Sequence, residues 1–407
     1  MTVAGPTTGP VRDEIVVDVA DSPRILSALA AMGIDAAAAA TIDALDIALV
    51  ALGPIGAVRA MAGADEAAGA LRAGSEREPS DLEVLMGLLR RGFAAGSGRM
   101  PRMGKNRDMQ LMEGLPHTGG GEGMPEPAGP VGLARRTSVR GRGVRVGILD
   151  TAMFAHEALD GRYLSDDLVT AGDALRVWSG HASFVAGRVL RRAPGAELDV
   201  RRVLDEADGT ASAWAVAETM ASFLGSGAQV LNLSLGGFTA DDQPPFLMVR
   251  AVERLGAEMI LVAAAGNHGD DEMPEPATAG APHSGSALWP AALPGVVAVG
   301  AADVGLDGTA FTFSDADFTP VGPGWIDVWA PGVDVVSTYV DGPVEMPGSG
   351  PRTFAGYARW SGTSFAAADV TGEIAAIAQQ DRIPPRDALH RILGRPSKGG
   401  EYDIRPA

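Results

Sequence analysis

Cysteine is absent from this chain of 407 residues, which removes disulfides, thiolate zinc sites and cysteine nucleophiles from consideration. Lysine is nearly absent, present only as Lys105 and Lys398. With arginine, the basic residues number 33 against 51 Asp and Glu, a formal charge of −18. A chain this acidic makes a poor nucleic-acid partner, because phosphate binding needs a basic surface. Long apolar runs are missing too. The longest apolar region, 34–61, is broken by Asp35, Asp43 and Asp46, whereas a spanning helix needs about 20 apolar residues in a row. The opening MTVAGPTTGPVRDEIVVDVA lacks the basic-then-apolar pattern of a secretory leader. These absences predict a soluble, cytoplasmic protein with no nucleic-acid and no membrane partner. What is present is ordinary for a folded chain, with 46% hydrophobic and 21% charged residues and length enough for more than one domain.

The stretch PHTGGGEGMPEPAGP, Pro116–Pro130, has no apolar periodicity and reads as a linker. Before it, EIVVDVA and LDIALVAL read as strands and SPRILSALAAMGI as a short amphipathic helix. In SDLEVLMGLLRRGF, Ser80 and Glu83 make a capping-box pattern, and Leu82, Leu85, Met86 and Leu89 share one face, so this segment is the best helix. Residues 1–112 are therefore expected to form a small α+β domain without a catalytic constellation, and 113–138 a Gly/Pro-rich linker. Residues 139–407 form the main domain. There VRVGIL (144–149), ELDVRRVL (197–204), QVLNLSL (229–235), EMILVAAAG (258–266) and GVVAVGA (295–301) are continuous apolar runs separated by helix-compatible stretches. Strands that do not alternate are buried on both faces, which predicts an α/β fold with a mostly parallel sheet between helices. In such folds sites gather beyond the C-terminal ends of the strands.

Residues capable of chemistry stand at those ends. Asp150 closes VGILD, Asn267 closes LVAAAGN, and His181 precedes a helix expected to start near Ser183. Ser364 stands in RWSGTSFAAADVTG, where a hydroxyl at a helix mouth could act as a nucleophile. A serine needs a base to take its proton, and an imidazole of pKa near 6.5 suits that task. A carboxylate on the far ring nitrogen fixes the tautomer, and an amide N–H can stabilise an oxyanion.

In that order, ILDTA, GHASFVAG, NLSLGG, AAAGN and SGTSFAAADVTG resemble the successive motifs of the subtilisin-like serine proteases, the subtilases. From Asp150 through His181 and Asn267 to Ser364 the spacings are 31, 86 and 97 residues, and the likeness runs from about Val144 to Ile392. It implies a subtilisin-like three-layer sandwich and a serine endopeptidase that works through an acyl-enzyme on a peptide or protein substrate, with no cofactor required. It makes Ser364 the nucleophile, His181 the base and then acid, Asp150 its orienter, and Asn267 with the Ser364 N–H the oxyanion donors. Ser234, Leu235 and Gly236 would pair with extended substrate backbone. Leu288 would narrow the pocket for the side chain before the scissile bond, and Trp289–Pro290 would be a cis peptide. Departures from the family pattern are Ala152 for glycine, Ala182-Ser183-Phe184 for Gly-Thr-His, Ala368 for proline, and Asp369 for histidine.

Plainer readings compete. His117, His156, His268, His283 and His390 read as structural. Asp150 as a cap, Asn267 as a turn residue and Ser364 as an N-cap are strong readings for isolated residues and weak ones for an ordered set. The loop GDDEMPEP, Gly269–Pro276, reads first as solvated and second as a structural calcium site, since it lacks spaced ligands around a glycine turn. The basic stretch Arg90–Arg107 reads as a solvated linker ahead of a processing site. GGGEG (119–123) is no phosphate loop, because it follows no strand and lacks Gly-Lys-Ser/Thr. The N-terminal domain reads as a propeptide-like inhibitor or as a substrate recruiter, and a peptide-binding pseudoprotease is the alternative to an enzyme. Nothing in the sequence sets an oligomeric state.

Overall fold

A computed structural model describes residues 10–62, 80–96, 99–111, 123–133, 138–239, 242–269, 283–307, 310–320, 324–394 and 404–406. The N-terminal unit runs β1 (Pro10–Asp18), α1 (Ser22–Ala31), β2 (Ala36–Ile42), β3 (Ile47–Leu52), a single turn α2 (Val58–Met61), α3 (Asp81–Ala95) and β4 (Met103–Leu111). Its strands pair antiparallel in the order β4-β1-β3-β2. Helix α3 starts where its cap dictates: the Ser80 hydroxyl accepts from Glu83 N–H at 3.3 Å, and Ser80 N–H donates to the Glu83 carboxylate at 2.6 Å. Successive strand residues face opposite ways, and this sheet uses both faces. Ile15 and Val17 join Ile25, Leu29, Leu82 and Leu85 in a local core. Val16, Leu49 and Met109 belong to the large core of the rest of the chain. The N-terminal unit is thus seated through an apolar sheet face.

Part of the stretch read as linker has regular structure. Within the described residues 123–133, β5 (Glu126–Pro127) forms an edge strand.

The remaining elements follow in order: β6 (Arg145–Asp150), β7 (Met153–Phe154), β8 (Tyr163–Leu164), β9 (Leu168–Val169), α4 (His181–Arg192), β10 (Glu197–Arg202), β11 (Thr210–Ser212), α5 (Ala213–Ala221), β12 (Val230–Leu233), β13 (Leu235–Gly236), α6 (Phe246–Leu255), β14 (Ile260–Ala264), β15 (Val296–Asp307), β16 (Ala310–Asp315), β17 (Val328–Pro331), β18 (Val335–Val344), β19 (Arg352–Trp360), α7 (Thr363–Asp381), α8 (Pro385–Leu393) and β20 (Arg405–Pro406). The main sheet has the order β20-β17-β15-β14-β12-β6-β10-β8, with β16 beside β15. Its pairs from β17 to β8 are parallel; β16 and β20 join antiparallel. Every residue of β12 and β14 is buried. Since side chains alternate between faces, helices must cover both, which is the α/β architecture expected from the continuous apolar runs.

Three local expectations are revised. Helix α4 begins at His181 itself rather than near Ser183. The stretch Arg90–Arg107, read as a solvated linker, contributes the end of α3 and the start of β4. Ala211–Leu224, one of the helix-compatible stretches between the apolar runs, is an α-helix only over Ala213–Ala221, and Thr210–Ser212 pairs as β11 with β4.

Candidate active site

Asp150 ends β6 and is fully buried. Its Oδ1 accepts from Thr151 N–H at 2.7 Å and from His181 Nδ1–H at 2.7 Å; among the described residues its Oδ2 has no hydrogen-bond partner. The Thr151 hydroxyl lies 3.1 Å from the Trp178 carbonyl and accepts from Ala182 N–H at 3.2 Å. It thereby ties the Asp150 loop to the first turn of α4 and aims the His181 ring at the carboxylate. Ala152 N–H donates to Glu206 at 3.1 Å, a contact that no local sequence pattern foretells. Around the imidazole stand Trp360, edge-on at 5.6 Å, Phe365 at 5.6 Å and Trp178 at 6.3 Å between ring centroids.

Ser364 is the second residue of α7 and is 1% exposed. Its hydroxyl donates to the Ser234 carbonyl at 3.4 Å, and the Ser234 hydroxyl donates to the Ser364 carbonyl at 3.2 Å. Among the described residues it makes no hydrogen bond to the His181 ring; such bonds are often long before substrate binds. Asn267 is held on its oxygen side, where Oδ1 accepts from both Thr363 N–H and Thr363 Oγ1–H at 2.9 Å. The Thr363 hydroxyl in turn accepts from Gly266 N–H at 3.1 Å. That bonding turns the Asn267 amide nitrogen toward Gly362, beside the start of α7.

The edge Ser234–Gly236 carries a strand of this same chain. β13 pairs antiparallel with β4, Leu235 opposite Leu111 and Gly236 opposite Gln110. On its other side β4 pairs with β11, Thr210 opposite Gln110, so β4 is the middle strand of three. Sequence reasoning missed it. The only local signal was the pair Met103 and Met109, both buried, among Gly, Lys, Asn and Asp that disfavour strands. Leu288 is fully buried and sits against Gly236 and Gly266, where a Cβ on either glycine would meet its side chain within 3.2 Å. Trp289 exchanges two main-chain hydrogen bonds with Gly237, and the Trp289–Pro290 peptide is cis.

The family departures are packed into this neighbourhood. The Ser183 hydroxyl accepts from Phe154 N–H at 2.8 Å, Phe184 packs on Phe365 at 4.2 Å, and Ala368 is fully buried. Two other histidines are buried as structural groups, and of the two only His156 is bonded at both ring nitrogens. His156 donates from Nε2 to the Gly356 carbonyl at 2.8 Å and accepts at Nδ1 from Ala158 N–H, with its pKa lowered by burial. His268 donates from Nε2 to the Ser286 carbonyl at 2.9 Å, and burial pushes its pKa down to about 4. His117 and the acidic residues 270–276 lie outside the described residues. Among the described residues no three His, Asp or Glu come together as a metal site, and no helix is long and apolar enough to cross a membrane.

A serine, a histidine and a carboxylate beyond the strand ends of a parallel α/β sheet are the groups a serine hydrolase needs. The model of the subtilase family matches residues 141–393, and the chain belongs to that family: it is a subtilisin-like serine endopeptidase. Subtilisin Savinase of Lederbergia lenta is 32% identical over 258 residues, which cover 61% of this chain and 81% of that protein. The intracellular serine protease of Paenibacillus polymyxa is 29% identical over 256 residues, 59% of this chain and 68% of that protein. Fervidolysin of Fervidobacterium pennivorans, described as a keratinolytic enzyme related to subtilisin, superposes with a TM-score of 0.58 at 18% identity. The match covers 92% of this chain and 56% of fervidolysin, so the chain spans little more than half of that protein.

Proposed function

We propose that Ser364 attacks the scissile carbonyl while His181 takes its proton at Nε2. Asp150 holds the Nδ1–H tautomer and stabilises the imidazolium that forms. Asn267 and the Ser364 N–H stabilise the oxyanion, His181 then gives its proton to the leaving amine, and water completes the cycle through the same base. The observation that carries this reading is the 2.7 Å contact between His181 and Asp150 beside a serine at the mouth of α7. Labelling with a fluorophosphonate, of the full chain and of the chain cut between Leu111 and Gly123, tests it: an adduct on Ser364 is expected, and its absence from both folded proteins would remove Ser364 as nucleophile.

In this reading residues 139–407 form the catalytic domain and Leu288 limits the side chain accepted before the scissile bond. Residues 1–112 act as an inhibitor docked in the substrate groove rather than as a recruiter. What supports inhibition is β4, which lies between β11 and β13 where an extended substrate would pair. Peptide hydrolysis by the full chain should therefore rise when β4 is loosened. Mass spectrometry of purified protein should find self-cleavage in the stretch after Leu111; an uncut chain with full activity would overturn the inhibitory role. The relative in Paenibacillus polymyxa, an intracellular protease by name, supports a cytoplasmic location, and a protease in that compartment calls for a selective peptide or protein substrate.

A further inference from the structure

The helices that begin at His181 and Thr363 are joined by a buried charge cluster. Asp369 is fully buried on α7, five positions beyond Ser364. Its Oδ1 accepts from Arg188 Nε at 2.9 Å; its Oδ2 accepts from Arg188 Nη2 at 2.8 Å and from Arg192 Nε and Nη2 at 3.0 and 2.7 Å. Both arginines belong to α4, seven and eleven positions beyond His181, a spacing that keeps all three on one helical face. Arg188 also reaches the Val336 carbonyl at 3.4 Å. Arg192 lies 3.9 Å from Glu373, which pairs with Arg140 at 2.9 Å. Burial drives the Arg188 pKa downward, and the adjoining Asp369 charge opposes that.

Past the Phe184–Phe365 ring contact in the first turns of the two helices, the interface is built of small residues. Near the cluster α7 offers Ala366, Ala367, Ala368 and Gly372, all buried. A Cβ on Gly372 would come within 2.6 Å of the Val189 carbonyl and 2.7 Å of the Arg192 side chain, so the helices approach closely over small residues. Such faces give few knobs to resist sliding. A two-pronged guanidinium on a carboxylate, in contrast, has one good geometry. A buried ion cluster also adds little stability over well-packed apolar groups, which leaves geometry as its main contribution.

We propose that Asp369, held by Arg188 and Arg192, is a positioning residue that fixes the register of α4 against α7 and hence the approach of His181 to Ser364. This rests on the roles proposed for those two residues. The test uses the full chain and three variants: Asp369→Asn, Arg188→Lys, and the apolar triple Arg188→Met, Arg192→Met, Asp369→Leu. Two quantities are read: the fluorophosphonate labelling rate of Ser364, and the pH titration of His181 by NMR of its Nδ1 proton. Asp369→Asn should slow labelling about 10- to 100-fold, the cost of a misplacement near 1 Å, and should shift the His181 titration. Arg188→Lys should fall between it and the parent. The triple variant, built to fold even where Asp369→Asn does not, should match the parent in thermal stability yet remain slow. Parental labelling and an unchanged His181 titration in the folded triple would overturn the proposal. If neither the parent nor the parent cut between Leu111 and Gly123 takes label, the roles proposed for Ser364 fail, and the His181 titration alone decides whether Asp369 positions the ring.

Discussion

The two sides of Ser364 are built from different materials. On the strand side, Ser234–Gly236 and Thr210–Ser212 present main chain, and what lies between them is held by backbone pairing. On the imidazole side, Asp150, Trp178, Trp360 and Phe365 fix a ring by side-chain contacts, with the Asp369 cluster two turns beneath. Backbone pairing reads little sequence, because every residue but proline offers the same donor and acceptor. Side-chain packing tolerates few substitutions. An edge of the first kind holds the chain's own β4 and asks little of its sequence, while a wall of the second kind keeps one arrangement.

Substitutions on the rigid side should act on turnover, and by the largest factors. Ser364→Ala is expected to lower kcat by ~10⁶ and Asp150→Asn by ~10⁴, the sizes known for these roles in serine proteases. Asn267→Leu should lower kcat about 10²- to 10³-fold with little change in KM; a change confined to KM would place Asn267 on the binding side instead. On the strand side the effect should reverse sign. Asn106 is buried, donates to Glu14 at 2.8 Å and accepts from Trp214 N–H at 2.9 Å. Removing it in Asn106→Ala leaves the Trp214 N–H unpaired at a cost of about 1–3 kcal/mol. Peptide hydrolysis by the full chain should then rise about 5- to 150-fold, and a fall in activity without unfolding would erase the distinction between the two sides. The smallest effect on activity is expected from His268→Gln, near zero at neutral pH, but its effect on stability depends on pH. The His268 pKa of about 4 in the folded chain lies below its ordinary 6.5, so on acidification the unfolded chain binds the proton first. Stability should fall as the pH drops from about 6.5 to about 4, by up to about 3 kcal/mol. His268→Gln should flatten that part of a urea-unfolding series.

The fold was legible where local pattern and tertiary role agree. The runs at 144–149, 229–235 and 258–266 are mostly apolar without alternation because both faces of β6, β12 and β14 are covered. Asp150, His181, Asn267 and Ser364 stood out because each breaks such a run or opens a helix. β4 was hidden, since Lys105, Asn106, Arg107 and Asp108 argue against a strand and its partners β11 and β13 are far along the chain. Asp369 was visible as an oddity, but its explanation needs Arg188 and Arg192, 181 and 177 positions away. Interactions at that range leave no local trace.

β5 has a consequence for concentration. Leu111 is paired to Leu235, while the Gly123 carbonyl accepts from Trp360 Nε1 at 3.3 Å and the Pro125 carbonyl from Arg352 at 2.8 Å. The chain is therefore fastened on both flanks of the groove. While the stretch between Leu111 and Gly123 is intact, docking of the N-terminal unit is an intramolecular event, of the kind governed by an effective concentration in the millimolar range. No dilution can reverse it. A single cut in that stretch would turn the same contact into a bimolecular equilibrium, and the strand Glu126–Pro127 would stay behind, paired with β19. From then on, occupancy of the groove would depend on how much of the released piece remains in solution.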